Sequence, residues 1–491
     1  MFDVIIIGSG LGGLETAYIL AKHGMNVCIL ERGHQLGGCL QTFKRKGTNF
    51  DTGFHYVGGM DEGRPLHRLF SYFNVDKLPW QRMDSDCFDE VCVDGQSYSF
   101  AIGHENFVRT LSEKFPDQKE NLKMYDKALA NVGEHIFDAL KPRLAEDFYQ
   151  NPNFSSSACD FLNTTITDET LQKVLSGTSI KLELEPSQLP FYIFAQINNS
   201  FIEGAYRLQG GGATLVDGFV KNLEKMGVTI IADADVCSLE AENGSITAAV
   251  TTDGQRFEAK NFISDAHPAA TLAMVSEEAG LRKVYRNRIN RMENTFGMFT
   301  VNLDIKAEAM PYLNKNLFIY ENSNPWSINK DGKIDGLLVN YACTTDKQKF
   351  ASAIDLLTPM RYTEVEQWAD TKIGRRGADY ESFKKAKAEQ CIELASKRLP
   401  ELKESIQNIY TSTPLTYRDY TKTSQGSAYG LRKDFNNTML TFLPPRTPVQ
   451  NLYLTGQNLN LHGILGVSMT SFVSASALIG LDCATEGLNM D

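Results

Sequence analysis

The sequence predicts an α/β protein built on a parallel sheet and interrupted by mixed α+β inserts. Three observations carry this. The apolar β-branched run Val4-Ile5-Ile6-Ile7 leads directly into Gly8-Ser9-Gly10-Leu11-Gly12-Gly13. A helical repeat and a second apolar run follow, closing on Glu31. The same strand–helix texture returns at about 205–290 and again at about 431–491. Together these describe a Rossmann-like dinucleotide-binding domain that the chain leaves and re-enters twice.

The first unit can be justified residue by residue. A short β-branched run is what a buried parallel strand requires. Leu14, Ala17, Tyr18 and Ala21 recur at helical spacing, and Gly24 ends that helix. Val27 to Leu30 forms the second strand. Gly8 permits the tight turn, Gly10 lets backbone approach a pyrophosphate, and Gly13 lets the helix pack close to the strand. The helix start offers free N–H groups and a positive dipole end to phosphates. Glu31, ending the second strand, can accept hydrogen bonds from ribose hydroxyls and disfavours a 2′-phosphate. A glycine turn without a ligand is the alternative; the complete strand–turn–helix–strand–acid series weighs against it. The grip suits NAD or FAD. A second glycine pair in Leu36-Gly37-Gly38, then FDTGFHYVGG over 50–59, suggests a further backbone approach to the ligand.

Beyond residue 70 the texture changes. Val91 to Phe100 reads as a hairpin with an Asp94-Gly95 turn. Leu122, Tyr125, Leu129, Val132, Ile136 and Leu140 mark one long amphipathic helix, with further helical segments to about Leu184. Gly210-Gly211-Gly212 leads into a helix that Gly227 stops, then a strand at 228–231. A β-meander follows, with turns at Asn243-Gly244 and Asp253-Gly254, ending in ISDAHP. Residues 295–303 and 336–342 are strand-like, and 384–407 helical. The chain closes with a strand at 452–454, a glycine turn and a small-residue helix from about Gly466. The expected domains are a nucleotide-binding one from 1–70, 205–290 and 431–491, and a substrate-binding one from 71–204 and 291–430.

Composition excludes several classes. The chain has 491 residues and a net charge of −11, without a basic stripe, which argues against nucleic acid. Its nine cysteines are scattered with no CxxC, so neither a zinc site nor a disulfide framework is expected. Nothing precedes the first strand and no run of 18 apolar residues exists. A cytoplasmic protein is expected, with any membrane contact peripheral. The segment LPFYIFAQI, 189–197, is apolar enough to lie on a bilayer or to be a buried helix or strand of the second domain. Oligomeric state is left open.

GSGLGG with Glu31, LGG at 36–38, FDTGFHYVGG, RLQGGG, ISDAHP, TPLTYRDYT at 413–421 and LYLTGQ…HGILG resemble the phytoene desaturase-like FAD flavoproteins, retinol saturase and carotenoid isomerase above all. The resemblance spans the chain in order. It implies an FAD-binding domain of the amine-oxidase-like (GR2) type with an inserted mixed α+β substrate domain. It implies that Gly8, Gly10, Gly13, Glu31, Arg32 and Gly38 line the adenosine and pyrophosphate of FAD. Val236 would meet the adenine, Gly456 and Gln457 the ribityl-phosphate, and Gly466, Val467 and Ser468 the flavin pyrimidine through backbone N–H groups. A helix start at about Gly466 would aim its positive end at the charge of the reduced ring; alternatively Gly463 and Gly466 only allow close packing.

No HExxH, GxSxG or Ser/His/Asp order is present, so the chemistry belongs to the cofactor. The resemblance implies a hydride passing between flavin N5 and a carbon of a polyene or isoprenoid-like lipid, an apolar substrate that a chain with 28 Phe and 19 Tyr could enclose. His55 is a candidate proton donor or a hydrogen-bonded structural residue, and His462 is a second such candidate. Tyr56, Tyr417 and Tyr429 are candidates for the substrate wall, or core aromatics. Saturation would need NADPH or NADH as a transient donor. The competing readings are a cis–trans isomerase using reduced FAD, an amine oxidase-like flavoenzyme, and an interaction module without turnover.

Overall fold

The computed structural model describes residues 1–141, 150–321, 324–329, 332–345 and 347–490; part of the helical region expected before residue 184 lies outside them. Strand β1 (Phe2–Ile7), helix α1 (Leu11–Lys22) and strand β2 (Val27–Leu30) form the first unit. β1 lies between β2 and the strand Arg256–Ser264, parallel to both. Thr229–Ile231 extends the sheet beyond β2, and Leu452–Leu454 pairs in parallel with the end of Arg256–Ser264. The third meander strand therefore serves twice. Its first residues pair antiparallel with Ser245–Thr251, and its last six enter the parallel sheet beside β1.

The continuous apolar run of β1 divides by the two-residue period of a strand. Val4 and Ile6 pack with Leu14, Phe219 and Phe472 on the helical face. Ile5 and Ile7 pack with Leu239 and Phe262 on the meander face. Both faces are covered, which is why no polar alternation is visible in the run.

A second seven-stranded sheet has the order Ile406–Ser412, Gly297–Ile305, Ala353–Met360, Gly336–Tyr341, Asn316–Tyr320, Asp89–Val93, Gln96–Phe100. All its pairings are antiparallel except that of Asn316–Tyr320 with Asp89–Val93. The Asp94-Gly95 turn takes positive φ at both residues, as a two-residue hairpin needs. One face of the sheet packs on the helices of 104–202, the other on the helix Ala378–Ser396.

Two elements differ from expectation and one open reading is decided. The amphipathic helix ends at Glu134, and Ile136 and Leu140 fall in a 3₁₀ turn packed with the nucleotide-binding core instead. The helix placed at 384–407 runs from Ala378 to Ser396; Pro400 follows, and Ile406–Ser412 is an edge strand beside Gly297–Ile305. The segment 189–197 takes the second of its two expected forms, a buried helix. It forms most of the helix Phe191–Ile202, buried almost all round, with Gln196 Nε2 donating to the Val132 carbonyl at 2.9 Å. Among the described residues no helix is long and apolar enough to cross a membrane.

Candidate functional site

One cavity of about 680 Å³ runs from the glycine turn after β1 to the face of the second sheet. At the nucleotide end it is lined by Gly8, Gly10, Glu31, Arg32, Gly38 and Val236. Ser9 donates from its backbone (2.9 Å) and its hydroxyl (2.7 Å) to Glu31 Oε2, and Gly33 N–H donates to Oε1 at 2.7 Å. The carboxylate is thereby held at the strand end with lone pairs left for ribose hydroxyls. Arg32 is fastened to the carbonyls of Asp419 and Tyr420, which brings the 413–421 segment to this wall.

Behind the turn the backbone is too close for side chains. A Cβ on Gly13 would collide with the Gly8 carbonyl, and one on Gly12 would stand 2.6 Å from the Asp265 carboxyl and 2.7 Å from Gly456 Cα. Gly13 and Gly456 thus support the cradle by packing and do not line the cavity. Asp265 also lines it, half-buried beside this bare backbone, and desolvation there pushes its carboxyl up to about 7.

The last helix starts earlier than expected, at Gly463, with His462 as its N-cap in an extended conformation. Its unpaired first-turn N–H groups are therefore those of Gly463, Ile464 and Leu465, all of which line the cavity. Val467 lines it too. Gly466 and Ser468 do not: Gly466 passes under the Leu461 backbone, and the Ser468 hydroxyl donates to Glu15. Gln457 lines the wall between the two ends.

The other end gathers His55, Tyr56, Tyr417, Tyr429 and His462. His55 Nδ1 accepts from Asn340 Nδ2 at 3.4 Å, and burial lowers its imidazole to about 4. His462 Nε2 donates to the Lys181 carbonyl at 3.3 Å, its ring stacks on Tyr429 with centroids 4.5 Å apart, and burial lowers it to about 4 as well. Both histidines are therefore neutral rings at neutral pH. Tyr417 donates to the Thr52 carbonyl at 3.1 Å, and Tyr429 to the Ile180 carbonyl at 3.0 Å. Ile197, Phe201, Met298, Leu338 and Leu357 make the remaining wall apolar.

Lys181, Asp89 and Asn316, which sequence reasoning does not assign, join Tyr56 at this end. Lys181 lines the cavity, and its Nζ donates to Tyr56 Oη at 3.0 Å and to Asp89 Oδ2 at 3.1 Å. Tyr56 Oη donates to the same Asp89 oxygen at 2.8 Å, and Asn316 Nδ2 donates to the other at 2.8 Å. No local pattern marks Lys181, Asp89 or Asn316, because they come from separate segments and meet only in the folded chain.

FAD fits these residues. α1 and the last helix both begin without a side-chain cap and without an acid in the first turn, and the starts of both line the same cavity. Those are the donors a pyrophosphate and a reduced flavin ring require. The buried Ser427 hydroxyl, which lacks a hydrogen-bond partner among the described residues, lines it as well.

The fold joins a Rossmann-like nucleotide-binding sheet to a second mixed sheet, the arrangement seen in amine-oxidase-like folds. Residues 6–73 match the NAD(P)-binding Rossmann-like domain family. Over its full length the chain is similar to human (Homo sapiens) all-trans-retinol 13,14-reductase, at 24% identity and covering 87% of that protein. It is also 24% identical to the chloroplastic prolycopene isomerase of Daucus carota, over 98% of this chain and 81% of that one. Among solved structures, cyclohexylamine oxidase from Brevibacterium oxydans superimposes with a TM-score of 0.62 at 15% identity, over 99% of both chains.

Proposed function

We propose that this chain is an FAD-dependent oxidoreductase that acts on a C=C bond of a polyene or isoprenoid-like lipid. The observation that carries the reading is the continuity of the cavity: a polar nucleotide cradle opens without interruption into an apolar arm under Met298, Leu338 and Leu357. Bound FAD supplies hydride chemistry at flavin N5. Gly8, Gly10, Glu31, Arg32 and Gly38 would hold its nucleotide half, and the first-turn amides of Gly463, Ile464 and Leu465 its ring. The apolar wall excludes water and aligns a long chain against the ring's edge.

The arm's chemistry favours a polyene over an amine. Ile197, Phe201, Met298, Leu338 and Leu357 give it an apolar lining, and the buried Asp89 beside it is already taken by Lys181, Tyr56 and Asn316. Saturation would draw electrons from NADPH or NADH binding transiently. The likeness to prolycopene isomerase favours a second reading, in which the double bond changes geometry without net redox change.

The test is anaerobic reduction of the purified holoprotein followed by incubation with polyenes of graded length. Mass gain by two hydrogens indicates saturation, mass loss by two from the oxidised protein indicates desaturation, and unchanged mass with altered geometry indicates isomerisation. Peroxide release with amines and no polyene conversion would replace this reading with an amine oxidase.

A further inference from the structure

The cluster behind the apolar arm has the form of a proton-delivery device. Lys181 ends a 3₁₀ turn, Ser179–Lys181, directly before the segment that leads to the buried helix Phe191–Ile202. Its ammonium lies 3.8 Å from the centre of the Phe201 ring. Two of its three N–H bonds point to Asp89 and Tyr56. Asp89 is fully buried at the start of strand Asp89–Val93, and Asn316 fixes its second oxygen. Asn316 is fixed in turn by Arg207 Nη2 at 2.7 Å, itself bound to the carbonyls of Leu313 and Lys315. This scaffold holds Nζ rigidly at the cavity wall. The Lys181 carbonyl also accepts from His462, the cap of the helix whose start faces the ring site, so the lysine sits at the reacting end of the cavity.

We propose that Lys181 is the proton donor to the substrate, with Asp89 and Tyr56 as its positioning residues. The assignment rests on the reading of the chain as a polyene oxidoreductase and specifies the saturating direction. The π bond of one C=C breaks. One carbon receives a hydride from reduced FAD, whose two electrons leave with it. The adjacent carbon uses the π electron pair to take a proton from Nζ, so that two C–H bonds form and Lys181 is left as a neutral amine beside Asp89. Solvent restores the proton after product leaves, and NADPH or NADH restores the reduced FAD.

The other groups at this end are less suited. His55 and His462 are neutral, and the Tyr56 proton is committed to Asp89. Burial and the Asp89 carboxylate hold the Tyr56 phenol well above its usual value. Burial moves Lys181 the other way and makes its ammonium a better acid, although Asp89 opposes that shift.

Two measurements test the assignment. In the first, wild type and Lys181→Arg holoproteins are reduced anaerobically and mixed with a polyene in D₂O. Arginine keeps the charge beside Asp89 but does not release its proton. Saturation with solvent deuterium on both carbons of the bond is expected in wild type, because the N5 hydrogen and the Nζ proton both exchange with D₂O, and at least ~100-fold slower saturation in the variant. FAD content, melting temperature and polyene binding should be unchanged. Lys181→Met, which removes charge and proton together, should lose the same step, so that the comparison with Lys181→Arg shows that charge alone does not restore it. In the second, a polyene aldehyde and cyanoborohydride are added to oxidised wild type, and the labelled peptide is identified by mass spectrometry. Imine formation and its reduction should mark Lys181 ahead of the exposed lysines. Saturation within ~3-fold of wild type in Lys181→Arg, or a label confined to exposed lysines, overturns the proton donor and leaves the polyene reading standing. A wild type that saturates no polyene overturns the saturating reading and the donor with it.

Discussion

The Ser468 hydroxyl donates to the Glu15 carboxyl at 2.6 Å and so ties the last helix to α1 across almost the whole length of the chain. Ser471, one turn on, donates to the other Glu15 oxygen at 3.0 Å. The carboxyl is fully buried, and burial raises it to about 8 against the pull of both serines. A carboxyl whose folded value exceeds its unfolded one binds more protons when folded. Its stabilising contribution is full below the ordinary value of 4.5 and is lost as pH rises through 8. Asp51, raised to about 8, and Asp355, raised to about 7, act in the same direction. The apoprotein should therefore melt at a higher temperature at pH 5.5 than at pH 8.5. Glu15→Gln should reduce that difference by a few degrees, chiefly by stabilising the alkaline side. Equal pH slopes for wild type and variant in a melting series would refute the role of Glu15.

Asp265 links the same kind of titration to the cofactor. Its carboxyl lies beside the backbone of Gly12 and Gly456, at the cradle assigned to the pyrophosphate, and is raised to about 7 by burial. Neutral, it tolerates a neighbouring dianion; ionised, it repels one. FAD affinity should fall above pH 7, by up to ~tenfold per pH unit for a single linked proton. Asp265→Asn should bind FAD with little pH dependence between 6 and 8.5. Titration of flavin fluorescence against apoprotein reads both, and a wild-type affinity constant across that range would contradict the linkage.

How much of this is legible in the sequence depends on how local each signal is. The β1–α1–β2 unit and Glu31 are readable because strand period, helical period and the glycine positions all fall within 31 residues. The strand Leu452–Leu454 is readable for the same reason. The start of the last helix is misplaced from sequence because two glycines compete for it. Gly463 opens the helix with positive φ, whereas Gly466 is small for a different reason, its passage under the Leu461 carbonyl. That contact is tertiary and leaves no mark in spacing. The double duty of Arg256–Ser264 is hidden likewise, since its partners lie at both ends of the chain. Lys181, Asp89, Asn316 and Arg207 are each unremarkable in sequence; burial and mutual hydrogen bonds alone single them out.

His55 and His462 offer a separate test of the proton assignment. Both line the cavity, and burial holds both near 4. Neither ring changes charge between pH 5.5 and 8.5, so neither should shape a pH–rate profile in that range. His55→Phe and His462→Phe should lower the rate through lost positioning, by roughly tenfold or less, while leaving the profile's midpoints in place. A midpoint that disappears in either variant would identify that histidine as the titrating group and give it a proton-transfer role beyond positioning.

The apolar arm sets a limit on substrate length. Leu338 and Leu357 come from neighbouring strands of the second sheet, pair directly in register, and line the cavity together. Leu338 is almost fully buried, so the space beside it is cavity and not solvent. Leu338→Phe adds ring volume into the arm without adding a polar group that would need a partner. A polyene that reaches past this point must lose contact area or strain the sheet; one that stops short should be unaffected. The variant should therefore raise KM for long polyenes by roughly tenfold, equivalent to about 1.4 kcal/mol, and change that for short ones little. FAD content should stay at the wild-type level, since the nucleotide cradle lies at the opposite end. Uniform loss across all lengths would mean that the substrate does not run along this strand pair, and that the arm must be sought along Ile197 and Phe201 instead.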